Sequence, residues 1–133
     1  KALAIGNPDI GDPQKNLAYA EVEAQQVKGA YPDATVLLRK DATKSKSKSL
    51  SPAHDILHFA THAELKESDP LSSAVLLAKD GNDNGRLEVR EIFGMDLKAS
   101  LVVRSACETG LGKRSSRRNS FIRPNGYLVR AYP

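Results

Sequence analysis

Two places in the sequence carry side chains that can do acid–base or nucleophilic chemistry: three histidines spaced four apart, His54, His58 and His62, and a lone cysteine, Cys107. On a helix that spacing would stack three imidazoles on one face, a set that could hold a divalent metal. The surroundings read as a strand instead. Pro52 precedes the run, and Asp55-Ile56-Leu57-His58-Phe59-Ala60-Thr61-His62 is short and rich in apolar and β-favouring residues. Histidines four apart on a strand are separated by about 13 Å, too far to share one ion. His58, in mid-run, fits a packed and hydrogen-bonded residue. His62 falls at the carboxyl end of the run, where open parallel sheets place ligands and reactive side chains.

Cys107 stands in a second end-of-strand stretch. Leu101-Val102-Val103-Arg104 runs out into Ser105-Ala106-Cys107-Glu108-Thr109-Gly110, small residues around a thiol and then a turn. A solitary thiol is commonly an inert buried group. A cysteine and a histidine at the carboxyl ends of two strands of one sheet are, however, the arrangement a thiol nucleophile and its base require. As the chain's single cysteine, Cys107 rules out an internal disulfide and a multi-cysteine zinc site. It also suggests a reducing compartment, so a cytoplasmic location is expected.

The elements that must position these groups show in the apolar pattern. Five short, continuous apolar runs, Ala2–Ile5, Thr35–Leu38, Ile56–Ala60, Ala74–Ala78 and Leu101–Val103, have the character of strands covered on both faces. Between the first two, Leu17, Ala20, Ala24, Val27 and Tyr31 recur at helical spacing, with Asn16 as N-cap and Gly29 and Pro32 as stop signals. A second helix is expected through Leu87–Phe93, ending near Gly94. Lys44–Ser49, alternating Lys and Ser, reads as a solvated loop or a poorly formed helix without chemistry. Strand and helix in alternation predict an α/β fold, a mostly parallel sheet flanked by helices.

A chain of 133 residues is enough for one core, and no apolar run approaches the length of a membrane helix. The start at Lys1, without Met, reads as part of a longer chain, incomplete at both ends. The formal charge of +4 is unevenly placed: residues 1–113 hold all 16 acids and 15 of the 20 bases, and the last twenty residues add five arginines and no acid. The basicity therefore belongs to the segment 114–133, expected to be a disordered and dispensable tail, and the body has no basic face for nucleic acid.

His58-Phe59-Ala60-Thr61-His62, then Pro70-Leu71-Ser72-Ser73-Ala74, Leu87, Glu91-Ile92, Leu101-Val102-Val103 and Ser105-Ala106-Cys107-Glu108-Thr109-Gly110-Leu111-Gly112 resemble, in this order, the CHAT domain. CHAT domains are caspase-like cysteine peptidases commonly attached to tetratricopeptide repeats. The resemblance covers residues 1–113. It implies a caspase-hydrolase-like fold, a catalytic dyad of His62 and Cys107, and an oxyanion hole from the backbone amides of Ala63 and Cys107. It further implies a protein or peptide substrate, an attached or partner tetratricopeptide-repeat region, and no cofactor, nucleic acid or membrane.

Three positions depart from the family's usual pattern. Ala63 stands where Gly is usual, Arg104 where the strand usually ends in an apolar residue, and after Gly112 the usual acidic pair and helix do not appear. Codons for Pro124–Arg130 read one nucleotide later can spell Leu-Thr-Ala-Ile-Leu-Tyr-Ala, closer to the family, which fits a slip of reading frame near Lys113. The competing reading is an inactive CHAT-like fold that serves as a protein-interaction module.

Asp80-Gly81-Asn82-Asp83-Asn84-Gly85-Arg86-Leu87-Glu88-Val89-Arg90-Glu91 fits the EF-hand loop pattern, with oxygen ligands at Asp80, Asn82, Asn84 and Glu91 and Gly85 at the sixth position. The apolar run before it reads as a strand rather than the helix an EF-hand needs. A plain Gly/Asn/Asp turn is expected, with no metal.

Overall fold

The first apolar run forms β1 (Ala2–Pro8), buried at every residue, because it lies between two other strands and is covered on both faces. A computed structural model describes residues 1–81, 83–95, 99–109, 121–123 and 127–131, with the backbone alone described at Ser100, 102–109, 121–123 and 127–131. After β1 come α1 (Ala18–Ala30), β2 (Thr35–Arg39), α2 (Lys44–Leu50), β3 (Ile56–Leu65), β4 (Ala74–Leu76), β5 (Arg86–Glu88), α3 (Val89–Gly94), β6 (Ser100–Thr109), β7 (Phe121–Arg123) and β8 (Tyr127–Ala131).

The main path of the sheet runs β2-β1-β3-β6-β8-β7, with β1, β2, β3, β6 and β8 mutually parallel. β7 pairs antiparallel with β8. The expected α/β fold with a mostly parallel sheet is the one observed. β4 and β5 form an antiparallel branch on β3.

Strand alternation divides the core between two faces. Leu3, Ile5, Leu57, Phe59, Ala63 and Leu101 meet Val75, Leu77, Leu87 and Ile92 on one face. On the other, Ala60 packs against Leu17 and Ala20 of the α1 segment. Gly6 allows that second contact to be close: a Cβ there would lie 2.8 Å from the Ala20 carbonyl oxygen and from the Ala24 Cβ. Helix α1 thus rests on the backbone of β1 with only small residues between them.

Several elements differ from expectation. Lys44–Leu50 is a helix, although no apolar stripe marks it. Thr43 caps it by accepting a hydrogen bond from the Lys46 amide, and Ser47 is buried and bonded to the Thr43 carbonyl. The helix expected from Leu87 begins at Val89, because Arg86–Glu88 pairs with β4 and Leu87 lies opposite Val75. Asn16 does not cap α1; Leu17 holds the cap position, and the Asn16 side chain bonds to Asn7 instead. The segment expected to be a disordered tail contributes β7 and β8, with β8 parallel to β6 from Val102↔Leu128 to Ser105↔Ala131. Tyr127-Leu128-Val129 has the β-favouring residues to do so, and the arginines obscured it.

Candidate functional site

The strand order reverses between β1 and β3: the chain leaves β1 for β2 on one side, then crosses back to lay β3 on the other. Parallel sheets of this kind bind ligands beyond the carboxyl ends of the strands at such a switch point. Here β1 accompanies β3 only as far as Gly6↔Ala60, and from His62↔Leu76 onward the same edge of β3 is taken by β4. His62 therefore sits just past the end of β1, on the α1 side of the sheet with His58 and Ala60. β3 continues three residues beyond His62, further than the apolar run indicated.

Residues 9–17 pass over this end of β1. Asp12 accepts a hydrogen bond from the Gln14 amide and caps a single 3₁₀ turn, Pro13–Lys15. The Lys15 carbonyl oxygen lies 2.7 Å from Nε2 of His62. A carbonyl can only accept, so Nε2 carries the proton and, in the neutral ring, Nδ1 carries the lone pair. Nδ1 is buried and has no hydrogen-bond partner among the described residues.

The other histidines are occupied elsewhere. His58 Nε2 lies 2.8 Å from the Glu23 carboxylate on α1, both side chains 13% exposed. His54 lies outside β3, in the turn before it, with Nδ1 2.7 Å from the Leu50 carbonyl oxygen and, as at His62, its other ring nitrogen buried without a partner among the described residues. Three histidines thus have three separate partners. Among the described residues there is no group of three or more His, Cys, Asp or Glu that could hold a metal ion.

Cys107 is placed by its backbone; its side chain lies outside the described residues. On β6 it pairs with Ala63, while His62 pairs with Ala106. Cys107 is one strand over and one residue along from His62, a Cα separation of about 6 Å from ordinary sheet spacings. The Arg104 side chain and the residues 110–112 of the glycine turn lie outside the described residues.

The Asp80–Glu91 stretch runs from the β4–β5 connection through β5 into the first turn of α3. Asp83 Oδ1 accepts from the Gly85 amide and Asn84 Oδ1 from the Arg86 amide, each at 2.9 Å. Asp80 accepts from the Ser45 hydroxyl, and Glu91 pairs with Lys44 at 2.8 Å. Asn82 lies outside the described residues. One oxygen each of Asp80, Asn84 and Glu91 is thus engaged by the turn or by α2, and Glu91 Oε2 is buried without a partner among the described residues.

Asn7 and the Lys15 carbonyl escaped the sequence reading. A backbone carbonyl has no sequence signature. Asn7 had one, since an Asn-Pro step ending an apolar run marks a change of backbone direction.

A mostly parallel sheet flanked by helices, with a histidine at the carboxyl side of its switch point, defines an α/β protein of the open-sheet class. The chain matches the family model of the CHAT domain over residues 1–131 and belongs to that caspase-like family. The match runs beyond residue 113, where the recognisable motifs stop. A search of curated proteins found no match. Among solved structures, the chain is similar to protein GSU0716 from Geobacter sulfurreducens, at 20% identity and a TM-score of 0.53. The similarity covers 80% of this chain and 49% of that one, so the chain spans about half the length of that relative. At this identity the likeness is one of fold. No helix among the described residues is long and apolar enough to cross a membrane.

Proposed function

We propose that the chain is a cysteine peptidase of the caspase-like kind, hydrolysing peptide bonds with Cys107 as nucleophile and His62 as general base. The observation that carries this reading is the state of His62: Nε2 is held by the Lys15 carbonyl, and the buried Nδ1 has no partner among the described residues. Leaving a buried ring nitrogen unpaired costs stability. His54 Nε2 is unpaired too, and what sets His62 apart is that its free nitrogen lies at the carboxyl end of β1, beside the strand that carries Cys107.

In the proposed reaction Nδ1 takes the thiol proton and the sulfur attacks the substrate carbonyl carbon. The developing oxyanion is met by the amides of Ala63 and Cys107, neighbours in register. Collapse expels the amine, which takes the proton from His62, and a thioester forms. Water, deprotonated by His62, then releases the acid and the free thiol. The substrate is a protein or peptide, and a tetratricopeptide-repeat region attached to or partnering the domain would present it. A nucleophilic thiol of this kind belongs in a reducing compartment such as the cytoplasm.

The dyad carries a geometric condition. In an unbroken pleat residue 62 shares a face with its partner 106, and residue 63 with 107. Imidazole and thiol meet only where β3 or β6 leaves the regular pleat at this level. The test is alkylation of Cys107 by iodoacetamide at pH 6, where a free thiol of pKa ~8.5 is almost wholly protonated. The thiol is expected to react at least about tenfold faster than a free cysteine. His62→Ala abolishes that excess and His58→Ala leaves most of it. A Cys107 as slow as a free thiol in the folded protein, or equally sensitive to both histidines, removes the peptidase reading.

A further inference from the structure

We propose that Asn7 is a positioning residue for His62: it locks residues 16–17, and through them sets the Lys15 carbonyl that fixes the imidazole. This rests on the peptidase reading for its catalytic meaning, while its structural content can be measured without it.

Asn7, the last residue but one of β1, is 1% exposed. Its φ of 45° is left-handed, a conformation that Asn tolerates better than most residues. This turns the side chain toward the segment that follows. Every hydrogen-bonding position of the amide except one lone pair is then used: Nδ2 donates to Asn16 Oδ1 at 2.5 Å and to Glu21 Oε2 at 2.8 Å, and Oδ1 accepts from the Leu17 amide at 2.8 Å. The Asn7 carbonyl accepts from Arg39 at the end of β2. One side chain therefore ties the carboxyl end of β1 to the start of α1, on both residues that follow Lys15.

The consequence for His62 is geometric. The Lys15 carbonyl is delivered by a short turn bounded on one side by the Asp12 cap and on the other by the Asn7 clamp. The Asn16 amide closes the turn on itself by donating to the Pro13 carbonyl at 3.3 Å, and it is the Asn7 clamp that ties the closed turn to the end of β1. Without the clamp the carbonyl can swing away, the ring loses the acceptor that selects the Nε2–H tautomer, and Nδ1 is no longer reliably the free base.

The charge pattern provides a discriminating variant. Asn7→Asp keeps the acceptor for the Leu17 amide but sets a carboxylate oxygen against the Glu21 carboxylate. Adding Glu21→Gln supplies a donor at that place and restores the bond with its polarity reversed. The Asn16 amide can turn to donate as well.

The experiment labels histidine with ¹⁵N and reads the tautomer of His62 from two-bond proton–nitrogen correlations, the signal being assigned by its loss in His62→Ala. In the wild type His62 is expected as a single Nε2–H tautomer. Asn7→Asp is expected to give a mixture and to lower the pH 6 alkylation excess at least about fivefold, with Asn7→Asp/Glu21→Gln recovering most of both. Asn16→Ala, an exposed loop change that leaves the core intact, is expected to shift the tautomer in the same direction and decides the matter if Asn7→Asp does not fold. A mixed tautomer in the wild type, a single tautomer retained in both Asn7→Asp and Asn16→Ala, or no recovery on adding Glu21→Gln overturns the inference. A tautomer that responds as expected beside a Cys107 that is never activated upholds the positioning role and removes the peptidase reading alone.

Discussion

His62 donates from Nε2 to the carbonyl oxygen of Lys15, 47 residues earlier in the chain, at 2.7 Å. An acceptor of this kind has no charge and does not titrate, so it fixes the ring without adding a second ionisation to the site. It also depends wholly on the turn that presents it. Asp12, exposed and bonded to the Gln14 amide, holds the near side of that turn. Asp12→Ala should cost only about 1 kcal/mol of stability, as for a lost cap. It should nevertheless lower the pH 6 alkylation rate of Cys107 more than so small a cost would suggest. Paired thermal unfolding and alkylation curves check this, and an unchanged rate would detach the turn from the site.

Helix α1 rests on Gly6, where a Cβ would meet the Ala20 carbonyl oxygen and the Ala24 Cβ at 2.8 Å. Gly6→Ala should destabilise by about 1–3 kcal/mol, since backbone on both sides must move. Gly29, near the end of the same helix, has open space around it, with no atom within 4 Å of where a methyl would stand. Gly29→Ala should stabilise by up to about 1 kcal/mol through helix propensity. Denaturant unfolding of the two variants should move the midpoint in opposite directions.

Between β4 and β5, Gly85 has a φ of 76° and its amide is bonded to Asp83. A Cβ there would collide with the Leu77 carbonyl oxygen. Gly85→Ala should therefore cost at least about 1–2 kcal/mol. The segment before Asp80 is a strand rather than the helix an EF-hand needs, and oxygens of Asp80, Asn84 and Glu91 are engaged by Ser45, Arg86 and Lys44, so calorimetric titration should find no calcium affinity tighter than ~10⁻⁵ M, the weak end of sensor EF-hands. Tighter binding would show that the loop reorganises around the ion.

The site was legible where chemistry and periodicity coincide. Ala2–Ile5, Ile56–Ala60 and Leu101–Val103 announce buried parallel strands, and their ends point to His62. What lay hidden depends on the backbone or on pairing. Nothing in Lys15 marks its carbonyl as the partner of an imidazole. Helix α2 shows no apolar period because its hold comes from the Thr43 cap and the buried Ser47. Arg86–Glu88 is too short to read as a strand without its partner β4. Asn16 looked like a helix cap because its type is right, but Asn7 claims its side chain.

Ala63 offers the sharpest test of how the proposed dyad assembles. It stands where the family usually has Gly, is 4% exposed, and is flanked by Val75 on β4 and Cys107 on β6. Its methyl belongs to the core face, so removing it forfeits packing and adds backbone freedom to a strand. Ala63→Gly should lower stability by about 1–2 kcal/mol. The same freedom acts where β3 or β6 must leave the pleat for imidazole and thiol to meet, and where an amide must turn toward an oxyanion. The variant should therefore unfold earlier yet alkylate faster at pH 6, a combination that simple destabilisation would not give if the excess still vanishes with His62→Ala in the same background. A slower thiol in a folded Ala63→Gly protein would mean that the alanine holds the strand in its working conformation. The departure from glycine would then be part of the site.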